Sequence, residues 1–509
     1  MLKYNYKKWV KLCLEPKEVM TDMKNLKLGW ATVDITPDRP IFLAGQMYTR
    51  VSQYVQDPIT ATALVVENGE AQMTYVSIDA ECSLPHVGER VIDRLKNVEG
   101  INERYVDFHG THTHNSSHFG PIGYENWAKY FGEECMPPMD IPEDIFYGEE
   151  ATEWLTDKLY NLILEAWNNR TTGGISYAQD YAVVAHNRRP VFRNEDGSEY
   201  TKMYGDCSLD NFRHYEGTVD HSIDVLYTWN EAGELTGVAV DIPCPSQVHE
   251  LHYYTTADYW TSVRKYLKDS FGDVYVLPMC GAAGDQNPLN LTLISKNNKE
   301  ELIHWNAQAT EVIRNIDLNK ECDAIGRRVR DAVLRSYEEA KDNIQTAPVL
   351  KTKAIEIELP LRKVSKEEYE EAKAFLDSEK EKFTPENPLT VYDQVRTFEP
   401  IGVAERWELQ QENDSLTYQL KLMRLGEVAF ATNPFELFTD YGVRVRARSK
   451  AKQVFHIQLA NGSWGYLPTQ AAVDGGSYSS KPASTKVGPE GGDMLVERML
   501  EELDAFWNN

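Results

Sequence analysis

The sequence predicts a mixed α/β (α+β) fold forming one large unit, on three observations. Short runs rich in β-branched and aromatic residues alternate with amphipathic runs of helical period along the chain. No internal repeat and no long Pro-, Gly- or Ser-rich linker divides it. At 509 residues, 42% of them hydrophobic and 26% charged, it has the composition of a globular protein with a sizeable core.

Residues 1–27 read as an N-terminal extension, with a short amphipathic helix at about 6–14. Ordered structure is expected from 28 onward. Strands are predicted at 28–33, 61–66, 73–78 and 105–109, and a helix at 87–96. The clearest helix spans 151–167, where Trp154, Leu155, Leu159, Leu162 and Ile163 recur at helical spacing. Helices at 253–271 and 321–340 flank a buried strand at 273–279. Residues 365–412 read as an acidic helical insertion, with helices at 365–383 and 390–412, each solvated on one face. A strand at 423–431, a helix from about Phe435, a strand at 454–459 and a helix at 493–507 complete the pattern.

The charge balance excludes several partners. With 53 basic and 79 acidic residues the formal charge is −26. Such a surface repels phosphate backbones and anionic headgroups, and no basic stripe reverses it, so neither nucleic acid nor a membrane surface is expected as a partner. No window reaches the roughly eighteen apolar residues of a membrane span, and the start lacks a secretory pattern. Seven scattered cysteines argue against a disulfide framework, and the lack of a Cys-x-x-Cys pair against a zinc ribbon. A reducing, cytoplasmic setting and a small-molecule substrate are the expectation. The oligomeric state is not legible.

Chemistry concentrates in a few segments. The run from Phe108 to His118 holds four of the twelve histidines. Near a strand end, His112 and His114 at i and i+2 point to one side. They could share a pocket as metal ligand and proton shuttle, or lie in a solvated polar loop. The segment Cys280-Gly281-Ala282-Ala283-Gly284-Asp285-Gln286-Asn287-Pro288 is a Gly-rich turn after a strand, able to bring backbone amides to a ligand or simply to turn the chain. Cys244, between Pro243 and Pro245, is either a thiolate ligand or nucleophile or a small core residue. Glu436 stands where a first-turn carboxylate compensates a helix dipole. The Ala460–Thr469 stretch reads as a turn with core aromatics. There is no Gly-x-Ser-x-Gly elbow, Walker loop or His-Glu-x-x-His helix.

Taken in order, these segments resemble the catalytic domain of neutral ceramidases. The resemblance rests on Gly29 with Asp34-Ile35-Thr36-Pro37, Thr111-His112-Thr113-His114-Asn115 and Asn187-Arg188-Arg189-Pro190. It continues through Gly284-Asp285-Gln286-Asn287-Pro288, Glu436 with Gly442, Arg444 and Arg446, and Leu459-Ala460-Asn461 with Gly465-Tyr466 and Thr469. It runs from about residue 28 to the C-terminus and implies a metal-dependent hydrolase domain over 28–509. It implies one zinc ion, or another divalent metal, held by His112, Glu436 and Tyr466. His114 would face the reacting group, Arg188 would contact substrate, and Tyr478 falls where a site tyrosine belongs. Two positions depart from the family pattern. Cys244 takes the place of a second ligand histidine, with His249 as the fallback and Asp258 near in sequence, and Asn287 takes the place of the catalytic serine. The expected function is therefore a zinc-dependent hydrolase of ceramidase-like architecture. It would act through metal-activated water on a small polar, carbohydrate-derived substrate, with amide, ester or glycoside as the bond. N-acyl amide hydrolysis and a non-catalytic binding role are the alternatives.

Overall fold

The computed structural model describes residues 25–121, 125–296, 303–305, 312–314 and 316–508, so the predicted helix at 6–14 and nearly all of the extension lie outside the described residues. Two sheets pack face to face between layers of helix. The larger has eight strands in the order Tyr275–Cys280, Leu235–Ile242, Ser222–Asn230, Thr171–Tyr181, Lys27–Asp34, Thr60–Glu67, Gln72–Ile78 and Val106–Gly110. Its inner pairs are antiparallel, and the outermost pair at each edge is parallel. The smaller sheet orders Leu350–Pro360, Ser415–Leu425, Val428–Thr432 and Gln453–Ile457.

The alternation of side chains along a strand builds the layers. Along Lys27–Asp34, Leu28 and Trp30 face the second sheet, while Ala31 and Val33 face helices. Trp30, Tyr75, Leu277 and Met279 meet Phe430 and Phe455 in the inter-sheet core, where the two phenylalanine rings stack at 4.4 Å. Each such side chain contributes roughly 1.5–3 kcal/mol by burial. The outer face of the large sheet is covered by Gly148–Asn168, Tyr259–Phe271 and Leu318–Ala340. Thr439–Arg448 and Pro489–Ala505 cover the small one. The mixed α/β class is as the sequence predicts.

Several elements differ in detail. The predicted strand at 423–431 is a hairpin, turning at Gly426 with φ +62°. The helix expected at 253–271 begins at Tyr259, because Tyr254–Thr255 pairs with Tyr54–Val55 and the Asp258 carboxylate accepts from Tyr259 N. Glu436 does not open a helix. Glu436–Leu437 is a short strand parallel to Tyr466–Leu467, and the helix starts at Thr439. The strands Thr171–Tyr181, Ser222–Asn230, Leu235–Ile242 and Leu350–Pro360 are additional to the sequence reading.

The acidic pair is present as Lys366–Lys380 and Val391–Glu412, opened by capping boxes at Ser365/Glu368 and Thr390/Asp393. It shares a small core with Trp127 and Phe131, and Trp127 Nε1 donates to Gln394 O at 2.9 Å. Among the described residues no helix is long and apolar enough to cross a membrane.

Twist of about 20–25° per strand pair accumulates across eight strands, and the two edges of the large sheet meet. His109 Nε2 on one edge strand lies 3.1 Å from Pro278 O on the other. The stretch 458–461 stitches both, with Gln458 N donating to Cys280 O and Asn461 N to Phe108 O. This closure gathers the loops that follow the edge strands.

Candidate active site

His112 leaves the edge strand Val106–Gly110 with φ +62°, a left-handed backbone that a non-glycine residue rarely adopts. His112 Nδ1 donates to Glu81 O at 2.6 Å, which leaves Nε2 facing Glu436 Oε2 at 3.2 Å. Burial opposes a charged ring, but the charge of Glu436 and its hydrogen bond outweigh this and raise the His112 pKa. The parallel pairing of the two short strands sets Tyr466 beside Glu436. Tyr466 is buried, and burial holds its phenol well above the usual range against the pull of Arg188. Tyr478 stands against the Tyr466 ring at 5.4 Å and is also shifted upward by burial.

Arg188 is buried between two phenols, its guanidinium 5.3 Å from the Tyr466 ring and 5.7 Å from that of Tyr204. It donates from Nη2 to Gly284 O at 2.9 Å and from Nη1 to Tyr204 Oη at 3.3 Å. Despite burial it stays firmly charged, supported by Tyr466, Tyr204 and Glu436.

The His114 ring lies edge-on to that of His112 at 4.9 Å. Gln247 Nε2 reaches His114 Nε2 at 2.6 Å. At Nδ1, Gln46 Nε2 is 3.3 Å away and Glu250 Oε2 3.5 Å. Asn287 is fully buried. Its Nδ2 donates to Tyr204 Oη at 2.7 Å and Gln247 Oε1 at 3.4 Å, and its Oδ1 accepts from Leu289 N. A polar chain thus runs from His114 through Gln247, Asn287 and Tyr204 to Arg188.

His112, His114, Arg188, Asn287, Glu436, Tyr466 and Tyr478 are linked into one neighbourhood by these contacts. None of these contacts includes Cys244. Burial pushes its thiol well above the usual range, and its sulfur lies 3.5 Å from Pro245 O. Among the described residues no three His, Cys, Asp or Glu side chains gather as a metal-holding group, so Cys244 does not complete a trio with His112 and Glu436. Of the fallback residues, His249 Nδ1 meets Tyr254 Oη at 2.7 Å, and Asp258 Oδ2 accepts from His249 N at 2.7 Å. Gln247, Tyr204 and Gln46 are site residues the sequence reading missed. Gln247 lies three positions from Cys244, and Tyr204 shares with His112 a positive φ, here +55°. Strained non-glycine residues cluster at functional sites, and Ser477 and Ser479 on either side of Tyr478 have positive φ as well.

The spacing of His112 Nε2 and Glu436 Oε2 is that of two ligands to one divalent cation. The carbonyl at Nδ1 orients a histidine for ligation through its other nitrogen. Two donors around a tetrahedral ion at about 2.0 Å stand about 3.3 Å apart, close to the 3.2 Å between His112 and Glu436.

No protein-family model matches the chain, and no curated protein matches its sequence. Solved structures do match. The fold is that of the neutral ceramidases. A ceramidase complexed with C2 superposes with a TM-score of 0.64 at 15% identity, covering 95% of this chain and 76% of that one. The neutral ceramidase from Pseudomonas aeruginosa gives 0.64 at 17% identity, covering 95% and 74%.

Proposed function

We propose that this chain is a metal-dependent hydrolase of ceramidase type acting on a small polar substrate. The convergence of His112, Glu436 and Tyr466 beside Arg188 and His114 carries the reading. His112, Glu436 and Tyr466 would hold a zinc ion, which when bound would supply Lewis acidity and help activate a water. The protein's own groups do the rest. Asn287 offers no nucleophilic oxygen, and the buried Cys244 thiol is held protonated. Water therefore attacks the scissile carbonyl directly. His114, steadied by Gln247, takes the water's proton and delivers it to the leaving group as the bond breaks. Arg188 stabilises the negative charge that builds on the carbonyl oxygen.

The polar side chains of Gln46, Gln247, Asn287 and Tyr204 gathered around His114 and Arg188 favour a substrate that hydrogen-bonds over one that is mainly acyl chain. Of the three bond types, the likeness to ceramidases favours the amide. Two measurements test the reading: hydrolysis of a panel of N-acyl amides, esters and glycosides, and metal analysis of protein purified without added zinc. Cleavage of a polar amide by zinc-loaded protein is expected. Folded protein with almost no metal, or inactivity across the panel, would sink it.

A further inference from the structure

The acidic helical pair meets the loop that carries Tyr478. Phe398, on the helix Val391–Glu412, is half-buried, its ring 6.1 Å from that of Tyr478 and 6.2 Å from that of Trp127. Tyr478 in turn stands 5.4 Å from Tyr466, whose ring lies 5.3 Å from the Arg188 guanidinium. Rings with centroids about 4.5–7 Å apart attract one another. Trp127, Phe398, Tyr478 and Tyr466 therefore form one row that ends on Arg188. Phe398 is the link in it between the core of the acidic pair and the site.

A second contact ties the same helix to the same loop. Gly402 lies four positions beyond Phe398, and a Cβ added to it would fall 2.4 Å from Ala483 Cβ and 2.6 Å from Ala483 Cα. The helix backbone thus rests directly on the turn Pro482–Ser484, with no room for a side chain between them. Arg362, just ahead of the pair, donates from Nη1 to Ser480 O at 2.6 Å and to Thr485 Oγ1 at 2.7 Å. Within the loop, Ser477 and Ser479 hold φ +75° and +68° on either side of Tyr478. Non-glycine residues keep such a backbone only where their surroundings over-determine it. Arg189 supplies part of that constraint through Tyr478 O. Phe398, Gly402 and Arg362 supply the rest from the acidic pair.

We propose that Phe398 is a positioning residue for the site: it holds Tyr478 against Tyr466, and Tyr466 in place beside Glu436 and Arg188. Its effect on turnover rests on the hydrolase reading, whereas its hold on the loop does not. The acidic pair is then a wall of the site, and its seating on 477–485 sets how well the site is assembled.

Phe398→Ala, Phe398→Tyr, Gly402→Ala and Leu376→Ala, each in the full chain, test this. Leu376 is buried in the core of the acidic pair and lies outside the row. Steady-state kinetics on the best panel substrate and hydrogen exchange of peptides covering 477–485 are the two readouts. Phe398→Ala should lower kcat about tenfold with KM changed less than about twofold, because assembly rather than binding is lost. Exchange across 477–485 should quicken about tenfold. Phe398→Tyr keeps the ring and should bring both readouts back to within about twofold of the parent. Gly402→Ala gains helix propensity but drives a Cβ into Ala483, so it should act in the same direction as Phe398→Ala even if that variant does not fold. Leu376→Ala should lower Tm yet leave kcat within about twofold. An equal fall in kcat for Leu376→Ala would mean general loosening of the pair and would overturn the proposal. So would unchanged kcat and loop exchange in Phe398→Ala, or in Gly402→Ala should the former not fold. Faster loop exchange in Phe398→Ala, with a parent protein that cleaves no panel substrate, would sink the hydrolase reading and uphold the hold of Phe398 on Tyr478.

Discussion

His112 Nε2 faces Glu436 Oε2 at 3.2 Å although 324 positions separate them in the chain. The ring is held by Glu81 O on its other side, so the two donors are presented rather than free to swing. His112→Ala and Glu436→Gln should each lower zinc affinity by at least about tenfold and abolish turnover. Elemental analysis of the dialysed variants checks this. Unchanged metal content in both would remove the pair from the metal site.

Gln247 contacts His114 at one ring nitrogen and Asn287 through its carbonyl. Gln247→Leu keeps the volume but removes both contacts. We expect kcat to fall about 10- to 100-fold with KM changed much less, since the loss is in proton transfer rather than in binding. Steady-state kinetics on the best panel substrate measures this, and a pure KM effect would move Gln247 to a binding role.

Among the described residues Cys244 joins no metal-holding group with His112 and Glu436, so Cys244→Ser should leave metal content and turnover unchanged. Its cost is in stability, about 1–3 kcal/mol for a hydroxyl placed in an apolar setting. Denaturant melts and metal analysis read the two effects separately. Loss of zinc in a fully folded variant would restore Cys244 as a ligand.

Arg189 is completely buried. It forms a two-point ion pair with Glu216 and donates to the main-chain oxygens of Ala472, Gly476 and Tyr478. Arg189→Met should cost about 3–5 kcal/mol, because it strands Glu216 and releases the loop carrying Tyr478. Arg189→Lys should recover only part of this, since an ammonium cannot reproduce the planar fork. Urea unfolding of the two variants compares them.

His456 is buried, and burial, reinforced by the charge of Arg446, pushes its pKa down to about 3. An unfolded histidine titrates near 6.5. Between these values the unfolded chain holds the extra proton, so stability rises with pH there and is lost as pH falls from about 6.5 toward 3. His456→Gln should flatten this slope by about 1.4 kcal/mol per pH unit. Unfolding free energies at a series of pH values above the carboxylate range isolate it. Parallel slopes for both proteins would refute the assignment.

The sequence is informative where chemistry and local pattern coincide. The helix Gly148–Asn168 and the acidic pair are readable from apolar period and capping residues. His112, His114, Arg188, Glu436 and Tyr466 come from a resemblance in which order matters more than any single motif. Other features depend on tertiary context. Ser222–Asn230 is buried on both faces along nearly its whole length, although Ile223, Val225, Tyr227 and Trp229 alternate with polar residues save at Leu226 and left it open to detection. Thr171–Tyr181 carries Gly173 and Gly174, which close backbone approaches to Trp229 and Gln345 require. Leu350–Pro360 does alternate apolar and charged residues and was open to detection by its period of two. Glu436 looks like a first-turn carboxylate because its strand has two residues and pairs only with Tyr466–Leu467, far along the chain. Gln247 and Tyr204 carry no motif, and only the fold reveals them.

Gln458–Asn461 joins both margins of the large sheet. A strand with unpaired amides is a template on which another polypeptide can add. Here Phe108 and Cys280, one on each outermost strand, already give their carbonyls to that short segment, and His109 bridges to Ala460. The seam denies those margins to intruding chains. Mutations that loosen 458–461 should therefore show first as self-association on mild heating, before any loss of helical content.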